Sequence, residues 1–326
     1  MTASTTASAA SAPTAPAPTA PASAAPAPTG IQHVITLGSA RAVIVQVAAG
    51  IREFTIDGVD ITQPYAENVV PPFGCGIVLA PWPNRIRDGV WTLDGVQHQL
   101  DLTEPTRSNA IHGLLRWSPY SLVERAEGSV TLGATVFPQH GYPFHLDTTV
   151  RYELVDDGLD VTHTVTNRST APAPVALGTH PFLTIGDVDP AELTLTVRAD
   201  THVDVDDRLN PTAIVPVDGT RFDLREPHRL GDLFLDDGWG AVRTVDGVSA
   251  VLRAPDGREV RLRQDENHGW IQVFTTREFP SPTGPRLAVA IEPMTAPVDA
   301  FNSGIDLKWV TPGETWTAKW GIEHSR

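Results

Sequence analysis

From Ile31 onward, apolar residues tend to fall at every second position. That is the period of a strand, whose side chains point alternately to opposite faces. Val43, Val45 and Val47 share one face, as do Leu146, Thr148, Val150, Tyr152 and Leu154. Leu159, Val161 and Val165 follow after Asp156-Asp157-Gly158, so the two runs predict a β-hairpin. Val251 and Leu252 face Val260 and Leu262 across Pro255-Asp256-Gly257 in the same way, and Leu193, Leu195 and Val197 predict another strand. Asp-Gly recurs at 57–58, 88–89, 94–95, 157–158, 218–219, 237–238, 246–247 and 256–257. Glycine supplies the positive φ that tight turns demand, and aspartate tolerates it. The pattern predicts hairpin after hairpin: an all-β, antiparallel, sandwich-like fold. Long helical periodicity is absent, and no fixed-length repeat suggests a propeller.

Composition changes the picture at the N-terminus. Residues 1–30 are almost entirely Ala, Pro, Ser and Thr, with no large apolar side chain after Met1. Such a stretch cannot bury enough surface to offset the entropy of ordering, which predicts a disordered tail at 1–30 and a folded domain at 31–326. The tail has neither the basic n-region nor the apolar h-region of a signal peptide. No later stretch is long and apolar enough to span a bilayer. The lone Cys75 forbids an internal disulfide and suits a reducing compartment, so a soluble cytoplasmic protein is expected. Asn167-Arg168-Ser169 spells a glycosylation acceptor that matters only in a secreted chain. Net charge of −15 argues against nucleic acid and against an anionic membrane surface, both of which demand clustered Lys and Arg.

Several chemistries lack their signatures. There is no Gly-x-Gly-x-x-Gly, no Walker loop, no Gly-x-Ser-x-Gly elbow and no His-Glu-x-x-His. Four polar residues instead stand in unusual, mostly apolar segments. Arg85 follows Pro81-Trp82-Pro83-Asn84, where two prolines hold the backbone away from strand pairing; it reads as an aimed planar donor or as a surface arginine after a turn. His112 lies among Ile111, Leu114, Leu115 and Trp117, beside Gly113, which permits close approach of a backbone or a ligand; a hydrogen-bonded core histidine is the alternative. His180, between Gly178-Thr179 and Pro181, sits at a constrained step after Val175-Ala176-Leu177 and is a natural proton donor or a turn histidine. Glu292 ends the apolar run Ala288–Ile291 and precedes Pro293; partial burial would raise its pKa towards that of a useful base. Among the remaining histidines, His163 falls in phase with its strand. His98, His202, His228 and His268 sit among polar neighbours and are expected to be solvated, while His140 and His145 bracket a loop. No histidine and carboxylate spacing suggests a metal site.

In this order the segments resemble the aldose 1-epimerase (galactose mutarotase-like) family, from about Gly38 to about Ile322. Gly141-Tyr142-Pro143-Phe144, Leu209-Asn210-Pro211-Thr212, the stretch from Arg225 to Asp236, and Pro312-Gly313-Glu314 match further family elements. Glu292-Pro293-Met294-Thr295-Ala296-Pro297-Val298-Asp299 with Ala300-Phe301-Asn302 is the most specific match. Ala213 stands where the family's turn has glycine. The resemblance implies a large antiparallel β-sandwich and the interconversion of the α and β anomers of a free aldose, without cofactor or metal. Glu292 would be the general base and a protonated His180 the general acid. His112 and Arg85 would hydrogen-bond the sugar, and Asp236 would grip ring hydroxyls, with Asp232 and Asp237 as close alternatives. The implied partner is a small-molecule sugar, with no nucleic acid and no membrane, and the chain a monomer or homodimer. Three rivals stand beside this reading. One is a non-catalytic sugar-binding protein on the same fold. Another is a glycosidase using two carboxylates. The third is an epimerase for a hexose 6-phosphate, whose dianion would want a basic cluster such as Arg107, Arg116 and Arg277.

Overall fold

The computed structural model describes Met1 and residues 27–325. Most of the predicted tail, residues 2–26, therefore lies outside the described residues. Just before Ile31, Ala27–Gly30 form a turn: the Gly30 amide donates to the Ala27 carbonyl, the Val47 amide donates to the Thr29 carbonyl, and Thr29 is fully buried.

Two large sheets face each other. The predicted hairpin pairs Leu146–Val155 with Gly158–Asn167, Leu154 opposite Leu159. Leu146, Thr148, Val150, Tyr152 and Leu154 are all buried, and so are Leu159, Val161, His163 and Val165. This hairpin lies within a nine-stranded sheet. The order is Ser121–Arg125, Ser129–Val136, Leu146–Val155, Gly158–Asn167, Thr315–Ser325, Glu259–Gln264, Val248–Arg253, Thr194–Val197 and His228–Arg229. The second sheet has eight strands. Pro211–Pro216, Ala199–Val205, Asp236–Val242, Trp270–Phe279, Arg286–Met294, Gly178–Thr179 and Val78–Leu79 run in that order, and Phe182–Leu183 pairs beside Arg286–Met294. Gln32–Leu37, Ala40–Val45, Ile51–Ile56 and Val59–Asp60 form a four-stranded sheet. Pairings between these strands are antiparallel, and the α-helix content is one four-residue turn, Ala300–Ser303, among the described residues. Val150, Tyr152 and Val161 of the first sheet share one apolar cluster with Ile271, Val273 and Ile291 of the second and with Ile44 and Phe54 of the third. Burying each such side chain contributes roughly 1.5–3 kcal/mol. Among the described residues no helix is long and apolar enough to cross a membrane.

Two expectations need correction. Asp237-Gly238 makes no hairpin turn: it lies inside the strand Asp236–Val242, paired on both sides. His202 and His268 are not solvated: each is 2% exposed. His202 bridges Asp204 and Asp237 at 2.9 and 3.0 Å and stacks on Phe222, while His268 Nδ1 meets Asp265 at 2.8 Å. Their polar neighbours serve as hydrogen-bond partners in place of water, which lets the rings be buried.

Candidate active site

Three adjacent strands of the eight-stranded sheet supply the floor. Gln272 lies opposite Glu292, and Asp236 lies opposite Phe274. Because the side-chain period of a strand is two, Gln272 and Phe274 share a face, and their cross-strand partners present to it as well. All four side chains line one cavity of about 400 Å³, a size within the range of small-molecule sites. His180 arrives from the next strand position: Gly178 pairs with both Leu79 and Met294, and the His180 amide donates to the Ile77 carbonyl.

The opposite wall is an excursion of the chain. Arg85–Arg87 pairs with Asn109–Ile111, Arg85 opposite Ile111. The His112 amide donates to the Asn84 carbonyl, and the amides of Leu114 and Leu115 both point at the Ala80 carbonyl. Gly113 makes this possible. Its φ is +74°, and a Cβ there would lie 2.1 Å from the Ala80 carbonyl oxygen. The glycine therefore serves close backbone approach. Arg85, His112, His180, Asp236 and Glu292 thus converge on the cavity from separate parts of the chain. Asp236, rather than its neighbours, reaches it: the Asp237 carboxylate is taken by His202, and Asp232 is exposed.

The electrostatics follow from burial. Glu292 is 2% exposed and its Oε1 lies 3.3 Å from His180 Nε2. Burial pushes the Glu292 carboxyl well above the usual range, the Asp236 charge adds to this, and the Arg85 charge opposes it. Burial likewise lowers His180 to about 4, with Arg85 contributing in the same direction. His112 is lowered well below its ordinary value by burial and by His180 and Arg85. Among the described residues, Glu292 Oε2, His180 Nδ1 and His112 Nδ1 are buried without a hydrogen-bond partner. Buried polar atoms normally have partners, and these three belong to side chains that line the same cavity. The set can accept, donate and relay protons over a short range.

An aldose 1-epimerase family model matches residues 33–323. The chain belongs to the aldose 1-epimerase family. YihR, an uncharacterized protein of Escherichia coli K12, is 32% identical over 281 residues, covering 86% of this chain and 89% of its own. The galactose mutarotase of Rattus norvegicus is 33% identical over 169 residues, or 48% of this chain and 46% of its own, so the match spans about half of that relative. A GalM/aldose epimerase homologue from C. elegans shares the fold, with a TM-score of 0.79 at 21% identity over 91% of this chain and 99% of its own.

In this aldose 1-epimerase family member, two further side chains belong to the site that sequence reasoning missed. Glu104 accepts from Arg85 Nε at 2.8 Å and from Arg85 Nη2 at 3.0 Å, a two-point clamp, and also from Arg107 at 3.0 Å. The remaining reach of Arg85 Nη2 is towards Asp236, 3.6 Å away. Gln272 donates to Asp236 at 2.9 Å. A glutamine within the apolar strand Trp270–Phe279 was a visible signal for the second. Glu104 stands among exposed polar residues and carried none.

Proposed function

We propose that the chain is an aldose 1-epimerase acting on a free aldohexose, with Glu292 as base and His180 as acid. The observation that carries this reading is the buried Glu292–His180 pair, 3.3 Å apart, with both side chains lining the cavity. Glu292 takes the proton of the C1 hydroxyl, and the O–H electrons form the C1 carbonyl. The C1–O5 bond breaks, its electron pair goes to O5, and His180 delivers a proton there. C1 rotates about its bond to C2. Attack of the O5 hydroxyl on the other carbonyl face reverses both transfers and gives the other anomer. Arg85, His112 and Asp236 hold ring and hydroxyl oxygens while this happens.

A His180 that rests as an imidazolium does not agree with its burial, which lowers it to about 4. The chemistry accommodates this, because the pair carries one proton throughout. On the ring side it is carboxylate beside imidazolium. On the open-chain side it is carboxylic acid beside imidazole. Both forms have zero net charge, so neither leaves an uncompensated ion in the cavity. Burial favours the second form, and Arg85 favours the carboxylate of the first.

A free sugar suits the site better than a phosphorylated one. Of the three arginines that could form a phosphate cluster, only Arg107 lines the cavity, and it is already paired with Glu104. Arg116 is tied to the Ile111 carbonyl, and Arg277 to the Gly231 carbonyl and the Phe234 ring. Glu104 and Asp236 would repel a dianion.

The test is polarimetric decay of freshly dissolved α-D-glucose and α-D-galactose with wild type and Glu292→Gln. Wild type should accelerate the decay of at least one sugar, and the variant should lose roughly 10²–10⁴ of that rate, the worth of a positioned acid or base. No acceleration of either sugar by wild type overturns the reading and directs attention to sugar phosphates and to binding without turnover.

A further inference from the structure

A second, smaller cavity of about 190 Å³ has Gly113, Leu114 and Arg116 in its lining, directly after Ile111 and His112 of the first cavity along the chain. Its wall towards the first cavity is fixed by Thr103 Oγ1, which accepts from the Ile111 amide at 2.8 Å, and by Arg116, which donates to the Ile111 carbonyl at 3.2 Å. Its lining has an uncommon makeup. Trp117 is 45% exposed, an unusual fate for so large an apolar ring. The Arg116 guanidinium sits 5.7 Å from its centroid. Asp101, Gln139 and His140 are exposed around it. The Trp82 side chain completes the lining at 3% exposure, and its buried indole N–H has no acceptor among the described residues.

We propose that this cavity is a second carbohydrate-binding site, taking a single pyranose unit. The chemistry fits from both sides of the ligand. A pyranose has an apolar C–H face, which stacks on an exposed indole, and a rim of hydroxyls that need both donors and acceptors. Asp101 accepts, Arg116 donates, and Gln139 does both. An anionic ligand is disfavoured by Asp101, and a purely apolar one by the four polar groups. The site needs neither Glu292 nor His180, so it stands or falls apart from the proposed epimerase activity.

The test uses full-length protein labelled with 5-fluorotryptophan and titrated with methyl α-D-glucopyranoside and methyl β-D-galactopyranoside, whose anomeric centres are locked. Resonances are assigned from Trp82→Phe and Trp117→Phe. The expected result is saturable movement of the Trp82 and Trp117 resonances with one glycoside, retained in Glu292→Gln and reduced at least about tenfold in affinity in Asp101→Ala, a loss of ~1.4 kcal/mol. Asp101 is exposed and makes no hydrogen bond or ion pair among the described residues, so this variant should fold normally. Stationary Trp82 and Trp117 resonances with both glycosides overturn the proposal, as does movement that vanishes in Glu292→Gln, which would place the sugar in the first cavity alone. Concentration-dependent self-association that buries Trp117 without sugar and is reversed on dilution also overturns it, in favour of an interface.

Discussion

In the proposed mechanism, one proton shared by Glu292 and His180 decides how the site should respond to pH. Turnover by this mechanism would need one proton on the pair. A second proton abolishes the base, and its entry is governed by His180, which burial holds at about 4. Loss of the single proton abolishes the acid, and burial of Glu292 moves that event above the ordinary carboxylate range. The acid limb of kcat/KM should therefore fall near pH 4 and not near 6.5, the ordinary histidine value. Polarimetric rates across the acid range decide this, and an acid limb near 6.5 would show that His180 titrates as a solvated imidazole. Glu104 should influence the same profile without touching a reacting atom. Its two bonds to Arg85 offset a positive charge that otherwise favours ionised Glu292. In Glu104→Gln, kcat/KM should fall about 10- to 100-fold, the worth of a charge-assisted hydrogen bond. The alkaline limb should also move to lower pH; a fall with an unmoved limb would mean that Glu104 serves packing alone. Arg85, His112, His180 and Glu292 were legible because each breaks a local apolar or proline-bound pattern, whereas Asp236 came from the family resemblance alone, with Asp232 and Asp237 as alternatives. Glu104 was not, because a carboxylate in a polar loop looks the same whether it is solvated or clamped to an arginine.

The elements that carry these side chains differ in how they are held. His112 stands at the end of Asn109–Ile111, which has three residues and one short partner. Its position depends on Gly113 meeting Ala80. Gly113→Ala forces a Cβ to within 2.1 Å of a carbonyl oxygen at a φ of +74°. The left-handed conformation alone costs roughly 1–2 kcal/mol for an L-residue, and the clash must also shift the backbone. Gly58→Ala is the control: its φ is +79°, yet nothing lies within 4 Å of the added Cβ. Both variants should melt earlier, and only Gly113→Ala should also lose turnover. Equal turnover in the two, by thermal melting and polarimetry together, would show that the Ala80–Gly113 contact does not position His112. At this scale the long hairpins were legible, since ten-residue strands such as Leu146–Val155 repeat the period several times. Strands of two or three residues, among them Arg85–Arg87 and Gly178–Thr179, contain too few positions to show a period. Asp237-Gly238 misled for a related reason: an Asp-Gly pair favours a turn but does not enforce one, and pairing with both neighbouring strands outweighs that preference.

The sandwich itself follows from alternation, but the sheet order does not. Gly158–Asn167 pairs with Thr315–Ser325 at the far end of the chain, a contact that no local pattern encodes. One buried group ties this long-range pairing to the site. His163, on Gly158–Asn167, brings its Nε2 within 3.1 Å of the Thr179 hydroxyl on the opposing sheet, next to His180, and accepts from the Trp320 indole at 3.0 Å. An indole N–H can only donate, so His163 Nε2 must be an acceptor and the ring neutral. Burial agrees, lowering its pKa to about 3. The unfolded chain takes up a proton near 6.5 that the folded chain refuses until about 3, so stability is lost as pH falls through that window. The contribution of one such group reaches about 1.4 kcal/mol per pH unit. His163→Leu leaves the Trp320 N–H and Thr179 hydroxyl unpaired, and should lower stability at neutral pH by roughly 1–3 kcal/mol. The same variant should lose less on acidification than wild type, because one refused proton has been removed. Denaturant midpoints measured at neutral pH and at two acidic values test both signs at once. Parallel losses in wild type and variant would mean that His163 is protonated inside the folded core, and that the Trp320 bond does not hold it neutral.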